Sequence, residues 1–102
     1  MHYVYRLQSL KHPEESFIGV TGHVKKRLAM HNRGKTPETA ENGPWRISFY
    51  AAFTRKERAK EFERFLKTSK GNAFGKTYLW NPSTSSSSSQ GAEGVSFVPP
   101  GL

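Results

Sequence analysis

The chain has 102 residues, enough for one domain with one modest core, and it carries a formal net charge of +8. This charge favours a polyanionic partner, with nucleic acid ahead of an anionic membrane surface, although a basic protein kept soluble by its charge is the simpler alternative. The absence of cysteine excludes disulfides, thiol nucleophiles and cysteine-ligated zinc and leads us to expect a cytoplasmic protein, and no segment is long and apolar enough to span a bilayer.

Two short β-strands are predicted at the N-terminus, joined by a polar turn. Residues 2–8 are rich in β-forming side chains, and alternation places Tyr3 and Tyr5 on one face of the strand and Val4 on the other. Residues 16–20 form the second strand, which we expect to be antiparallel because so short a connection cannot make a parallel crossover. Gly19 either lets backbone or substrate approach closely or is an ordinary strand-end glycine.

A helix, a polar loop and a third strand follow. The helix is predicted from about residue 23 to residue 32, with Thr21 or Gly22 as its N-cap. Gly34 is expected to supply the left-handed residue after the helix end. The loop covers residues 35–44, and the third strand covers residues 45–53.

One face of this first helix carries two residues of chemical interest. Val24, Leu28 and His31 share a stripe at i, i+4 and i+7, and Arg27 lies four residues before His31. An arginine and a histidine beside an apolar face suit a phosphate clamp. The alternative is an arginine that extends to solvent and a histidine at the surface.

A second helix is predicted from the N-cap Thr54 to about Lys70, with Glu57 completing a capping box. Gly71 is expected to end this helix. Residues 72–80 are predicted to form one more short helical or irregular segment that packs aromatic side chains on the core.

Within the second helix, Glu63 lies in line with the apolar residues Ala59 and Leu66, so its carboxylate points to the edge of the core. A carboxylate there needs a partner. The partner is either a cation, namely Arg27 or a neighbouring lysine, or a bound metal. Glu61 falls on a more exposed face and is the weaker candidate for a metal ligand.

Composition changes at residue 81, where a segment rich in serine, proline and glycine begins. Such a segment cannot bury enough apolar surface to offset the entropy of ordering it. We therefore expect one domain at residues 1–80 and a disordered tail at residues 81–102. The apolar tip around Phe97 is either a docking segment or a free end.

The order of these motifs resembles the GIY-YIG nuclease family, above all its small stand-alone bacterial members and the nuclease domain of a bacterial excision-repair subunit. Residues 3–5 (Tyr-Val-Tyr) stand for the first motif and residues 17–19 (Phe-Ile-Gly) for the second. Residues 24–32 match the helix with arginine and histidine, and residues 59–67 match the Ala…Glu…Leu-Lys helix. The resemblance covers residues 2 to about 80.

The resemblance implies an α+β fold, a three-stranded antiparallel sheet flanked by helices, with one divalent cation, Mg²⁺ or Mn²⁺. In this comparison Glu63 is the metal ligand and Arg27 stabilises the phosphate. Tyr5 is a candidate for positioning water or acting as the general base, and His31 is a supporting hydrogen-bonding group. Phe17 stands where the family usually has tyrosine, which removes one hydroxyl from the expected site.

The expected function is a divalent-metal-dependent endonuclease that cuts DNA with low sequence specificity. The alternatives are a catalytically weak nucleic-acid-binding module and a subunit that depends on a protein partner. Asn72 is a candidate for the asparagine that follows the glutamate helix in larger members, and Tyr3 and Gly19 are motif residues. The candidate nucleic-acid contacts are Lys25, Lys26, Arg27, Arg33, Lys35 and Lys67.

Overall fold

The computed structural model describes residues 1–80 and 96–98, in which an antiparallel sheet lies between helices. The elements are β1 (His2–Ser9), β2 (Ser16–Thr21), α1 (Val24–Asn32), β3 (Trp45–Phe53), α2 (Lys56–Leu66), α3 (Ser69–Tyr78) and β4 (Ser96–Val98). The strand order is β2-β1-β3-β4. The predicted α+β fold with its three antiparallel strands and flanking helices is confirmed, and the short β4 adds an edge pairing to β3.

Alternation along the strands divides the apolar side chains into two clusters, because successive side chains point to opposite faces of a sheet. The cluster that includes α2 and the end of α3 is formed by Val4, Ile18, Phe49, Ala51, Ala59, Leu66 and Trp80. The cluster that includes α1 is formed by Tyr5, Leu7, Val24, Trp45, Ile47 and Tyr50. The predicted placement of Tyr5 and Val4 on opposite faces is therefore confirmed.

The strand register sets Tyr5 at the centre of the sheet. It pairs with Gly19 on β2 and with Tyr50 on β3. A register shift between Arg6 and Leu7 marks a β-bulge in this pairing. Tyr5 thus lies on the middle strand, directly opposite a residue that has no side chain.

Helix α1 begins one residue later than predicted, and neither predicted residue is its N-cap. His23 is the N-cap and makes no side-chain capping bond, while Thr21 accepts a hydrogen bond from the His23 amide at 3.1 Å through its Oγ1 atom. Gly34 has φ of 73°, the left-handed conformation predicted after the helix end.

The prediction of a single helix between Thr54 and Lys70 is wrong, because this segment contains α2 and the start of α3. Both predicted ends also differ from the observed ones. Arg55 is the N-cap of α2 and makes no side-chain capping bond, so the predicted capping box is absent. Helix α2 ends at Leu66. Thr68 then caps α3 by accepting a hydrogen bond from the Gly71 amide at 3.0 Å.

Gly71 lies inside α3 and does not end a helix. A Cβ atom at this position would collide with the backbone carbonyl of Phe65 at the end of α2. The glycine is therefore needed for the close approach of the two helices. Residues 67–70 (Lys-Thr-Ser-Lys) contain no glycine or proline, which is why the sequence alone extends the first helix as far as Gly71.

The predicted disordered tail lies mostly outside the described residues, since only residues 96–98 of it are described. Their backbone pairs antiparallel with residues 50–52 of β3. Among the described residues, no helix has the length and apolar character needed to cross a membrane.

Candidate active site

The centre of the site is a hydrogen bond between Tyr5 on β1 and His31 on α1. The Tyr5 hydroxyl oxygen lies 2.9 Å from Nε2 of His31. Each residue is only 1% exposed, so the alternative of a surface histidine is wrong. The stripe that His31 shares with Val24 brings it to the sheet, where it contacts Tyr5.

Thr39 completes this arrangement from the loop between α1 and β3. Its Oγ1 atom lies 2.7 Å from Nδ1 of His31, and the hydroxyl donates to the backbone carbonyl of Thr36 at 3.3 Å. Thr39 is fully buried. Sequence reasoning missed it, because a threonine eight residues beyond a histidine in a polar loop has no periodic relationship to it.

Gly19 and Phe17 on β2 form the wall beside the Tyr5 ring. A Cβ atom on Gly19 would lie 2.8 Å from the Tyr5 hydroxyl oxygen and 3.0 Å from the Phe17 ring. The close approach predicted at Gly19 is therefore made by the Tyr5 side chain. The Phe17 ring centroid lies 4.9 Å from that of His31 and 6.1 Å from that of Tyr5.

Arg27 brings a positive charge to the Tyr5 hydroxyl. It lies one turn before His31 on α1 and is half-buried. Burial raises the pKa of Tyr5, whereas a hydrogen bond from Arg27 and the charge of its guanidinium oppose that rise. In the part of the chain that the structure describes, no carboxylate forms an ion pair with Arg27.

The environment of His31 favours the neutral imidazole. Burial lowers its pKa from the ordinary value of 6.5, and the nearby charge of Arg27 lowers the pKa further, while Glu38 opposes both. A neutral imidazole has one nitrogen that accepts a hydrogen bond. His31 can therefore take up a proton from a neighbouring group.

Glu63 lies on α2, and its charge raises the pKa of Tyr5 as the smallest of the influences on that group. The side chain is 21% exposed, and its Oε2 atom lies 3.1 Å from Nζ of Lys67. The neighbouring lysine is one of the partners considered from the sequence. Glu61 is exposed and pairs with Arg58 instead.

Glu63 also lines a cleft of about 520 Å³, together with His2, Lys56 and Lys60. The described residues contain no group of three or more histidine, cysteine or acidic side chains that could hold a metal ion. One half-buried carboxylate in an open cleft suits Mg²⁺, which keeps several waters and binds through one or two carboxylates and the substrate phosphate. The site therefore fits a weakly held divalent ion.

A second cleft, of about 410 Å³, opens at the N-terminal end of α1. It is lined by Tyr3 and Tyr50, whose rings meet edge to face with centroids 5.9 Å apart, and by Lys25 and Lys26. The first turn of α1 contains no acidic residue and its N-cap makes no side-chain bond. The backbone amides and lysines at this helix end thus offer positive charge to an anion.

The other residues predicted to contact nucleic acid or to belong to the site do not lie together. Arg33 and Lys35 are exposed at the C-terminal end of α1, away from the lysine pair at its start. Lys67 is engaged by Glu63. Asn72 is half-buried in α3, and among the described residues its side chain makes no hydrogen bond with the cluster around Tyr5.

Comparison with known protein families agrees with this geometry. Residues 1–78 match the GIY-YIG catalytic domain, a span that covers β1 to the end of α3 and includes the residues around Tyr5. A search of curated proteins found no significant match. GIY-YIG domains are nuclease domains that generally depend on a divalent metal. The chain belongs to the GIY-YIG nuclease family.

Proposed function

We propose that this protein is a divalent-metal-dependent endonuclease that hydrolyses phosphodiester bonds in DNA with low sequence specificity. The observation that carries the proposal is the environment of the Tyr5 hydroxyl. The hydroxyl oxygen lies 2.9 Å from Nε2 of His31, whose environment favours the neutral imidazole, and the charges of Arg27 and Glu63 both act on the pKa of Tyr5. A purely structural tyrosine needs one hydrogen-bond partner, whereas this one has a proton acceptor and a cation.

Tyr5 and His31 together act as the general base. As a water attacks the phosphorus, the Tyr5 oxygen takes a proton from that water while its own proton passes to Nε2 of His31, 2.9 Å away. The high pKa of Tyr5 rules out a standing phenolate at neutral pH, so coupled transfer to a neutral imidazole is the accessible route. General-base assistance of this kind contributes about 10² to 10⁴ in rate.

Arg27 binds the scissile phosphate. Arg27 is half-buried and its charge acts on the Tyr5 hydroxyl, so a phosphate held by Arg27 would meet the attacking water at the general base. Charge that develops on the phosphate oxygens is stabilised by a donor already fixed in place, which costs little reorganisation. Arg27 lies one turn before His31 on the same helix. The residue that binds the phosphate and the residue that takes up the proton are therefore held close together.

Glu63 would hold the divalent ion, Mg²⁺ or Mn²⁺, with its carboxylate. When bound, such an ion stabilises negative charge on the scissile phosphate and the leaving oxygen. Lys67 occupies Oε2 of Glu63 at 3.1 Å and competes with the ion for this carboxylate. We therefore expect weak binding in the absence of substrate.

The cleft at the start of α1 provides a path for the nucleic-acid backbone. Lys25 and Lys26 are exposed and lie next to the rings of Tyr3 and Tyr50. Lysine contacts to phosphates carry no sequence information by themselves, which supports low specificity. The net charge of +8 adds long-range attraction to DNA.

A second candidate function is a nucleic-acid-binding module with weak or no cleavage, acting alone or with a protein partner. The observation that favours it is Phe17, whose ring contacts His31 and Tyr5 at the site where the family usually has a tyrosine hydroxyl. The basic surface would still bind nucleic acid in such a protein. Salt-sensitive binding without cleavage is its signature.

The test is cleavage of supercoiled plasmid and of labelled single-stranded DNA in Mg²⁺ or Mn²⁺, with and without a chelator. Glu63→Ala should abolish cleavage and leave salt-sensitive DNA binding in place. Glu61→Ala removes an exposed carboxylate from the same helix and should cleave like the wild-type protein. Binding without cleavage in the wild-type protein would favour the second candidate.

A further inference from the structure

The hydrogen bonds of Tyr5 continue through His31 to the loop between α1 and β3. His31 contacts Tyr5 through Nε2 at 2.9 Å and Thr39 through Nδ1 at 2.7 Å. The Thr39 hydroxyl reaches the backbone carbonyl of Thr36 at 3.3 Å. Tyr5, His31 and Thr39 are each at most 1% exposed, so bulk water does not compete for these bonds.

The single hydrogen of the Thr39 hydroxyl determines which tautomer of His31 is favoured. A threonine hydroxyl has a single hydrogen, which goes either to the Thr36 carbonyl or to Nδ1 of His31. If it goes to the carbonyl, Nδ1 carries a hydrogen and donates it to Thr39, so that both contacts are hydrogen bonds. If it goes to Nδ1, the Thr39 hydroxyl oxygen and the Thr36 carbonyl oxygen face each other without a hydrogen between them, which is unfavourable.

The contact at Tyr5 selects the same tautomer. The Tyr5 hydroxyl is buried, and its hydrogen needs an acceptor. With the hydrogen of His31 on Nδ1, the Nε2 atom is that acceptor, 2.9 Å away. With the hydrogen on Nε2, His31 would donate to Tyr5, and the Tyr5 hydrogen would have no acceptor among Tyr5, His31 and Thr39.

The loop that carries Thr39 is held in place from β3. The indole nitrogen of Trp45 donates to the Thr39 carbonyl at 2.9 Å. Asn32, at the end of α1, brackets the Trp45 backbone by accepting from its amide at 2.6 Å and donating to its carbonyl at 3.2 Å. The Thr39 hydroxyl is therefore fixed relative to the helix that carries His31.

We propose that Thr39 is a positioning residue that holds His31 in the tautomer with the hydrogen on Nδ1, so that Nε2 accepts the proton of Tyr5. The catalytic consequence rests on the proposed function, whereas the tautomer is a property of the folded protein alone. During hydrolysis the water oxygen bonds to phosphorus, and the bond from phosphorus to the leaving oxygen breaks. The water proton goes to Tyr5, the Tyr5 proton goes to Nε2, and the leaving oxygen takes a proton from solvent. The resulting imidazolium donates from Nδ1 to Thr39, whose hydroxyl stays bonded to the Thr36 carbonyl.

The tautomer is measured by NMR on protein labelled with ¹⁵N histidine, near pH 8, with His31→Gln used to assign the signal. The wild-type protein should show a protonated Nδ1 and an unprotonated Nε2. Thr39→Val should abolish this preference, and Thr39→Ser, which keeps the hydroxyl, should restore it. Thr68→Val is the matched control, since Thr68 makes the same hydroxyl bond to a carbonyl three residues earlier, and it should leave the His31 signal unchanged.

Single-turnover cleavage at saturating DNA gives the second measurement. Thr39→Val should lower the rate about tenfold or more, a part of the general-base contribution, while the Kd for DNA stays the same. A wild-type protein with the hydrogen on Nε2 would overturn the proposal. A Thr39→Val variant that keeps the wild-type tautomer would overturn it as well, and this result does not depend on whether the protein is a nuclease.

Discussion

The hydroxyl of Tyr5 fills the space beside Gly19 where any other residue would place its Cβ atom. The two residues pair across β1 and β2, and a Cβ on Gly19 would lie 2.8 Å from the hydroxyl oxygen. The glycine therefore determines where the proposed general base can lie. Gly19, in the Phe-Ile-Gly motif of β2, therefore affects the position of the proposed catalytic tyrosine on β1.

Gly19→Ala should displace the Tyr5 hydroxyl from His31 and reduce cleavage strongly, on the order of 10²-fold, because small misplacements of reacting groups cost about that much. Single-turnover rates at saturating DNA measure the effect. The control is Gly22→Ala, whose Cβ would have its nearest contact at 3.9 Å and whose rate should stay close to wild type. Equal rates for Gly19→Ala and the wild-type protein would show that the hydroxyl is not needed at this position.

Phe17→Tyr should raise the cleavage rate. The new hydroxyl would enter the site beside the rings of His31 and Tyr5, and a hydrogen bond worth about 1.4 kcal/mol in the transition state corresponds to about tenfold. Phe17→Leu is the control for altered packing and should give no increase. An unchanged rate in Phe17→Tyr would show that the missing hydroxyl does not limit this protein.

Arg27→Ala should lower the cleavage rate on the order of 10²- to 10³-fold, as loss of a preorganised charge donor does. The free energy of unfolding should change by less than about 1 kcal/mol, because Arg27 makes no ion pair with a carboxylate among the described residues. Arg33→Ala, at the exposed end of α1, is the matched control. Loss of folding that parallels the loss of cleavage would contradict a role in catalysis.

The cleavage rate should depend on pH through His31. The base is active when neutral, so the rate should rise with pH through the pKa of His31, which burial and then Arg27 place below 6.5. Glu38 raises this pKa, so Glu38→Gln should move the acidic limb of the pH–rate profile to lower pH. Glu41→Gln, in the same loop, should not move it. A midpoint above 6.5, or a shift to higher pH in Glu38→Gln, would contradict this assignment.

Much of the site could be predicted where residues follow a regular period. The two-residue period of β1 places Tyr3 and Tyr5 on one face, and the helical period of α1 brings His31 to that face with Val24. Glu63 and Lys67 lie four residues apart on the helix pattern, so a lysine is one of the partners expected for the Glu63 carboxylate. These relationships are local, and short-range geometry determines them.

The rest depends on tertiary contacts that no period encodes. Thr39 reaches His31 because Trp45 and Asn32 hold the loop, and the spacing of these residues in the sequence carries no signal of it. The boundary between α2 and α3 depends on the fit of Gly71 against the Phe65 carbonyl. The polar residues 67–70 contain no glycine or proline that would reveal this steric junction.

The most direct test of the account is the single-turnover cleavage rate of Tyr5→Phe in Mg²⁺, measured at saturating DNA beside the wild-type rate. The substitution removes only the hydroxyl that contacts His31. We expect a rate at least about 10²-fold lower, with the Kd for DNA unchanged. A Tyr5→Phe variant that cleaves at the wild-type rate would contradict the assignment of Tyr5 as the base.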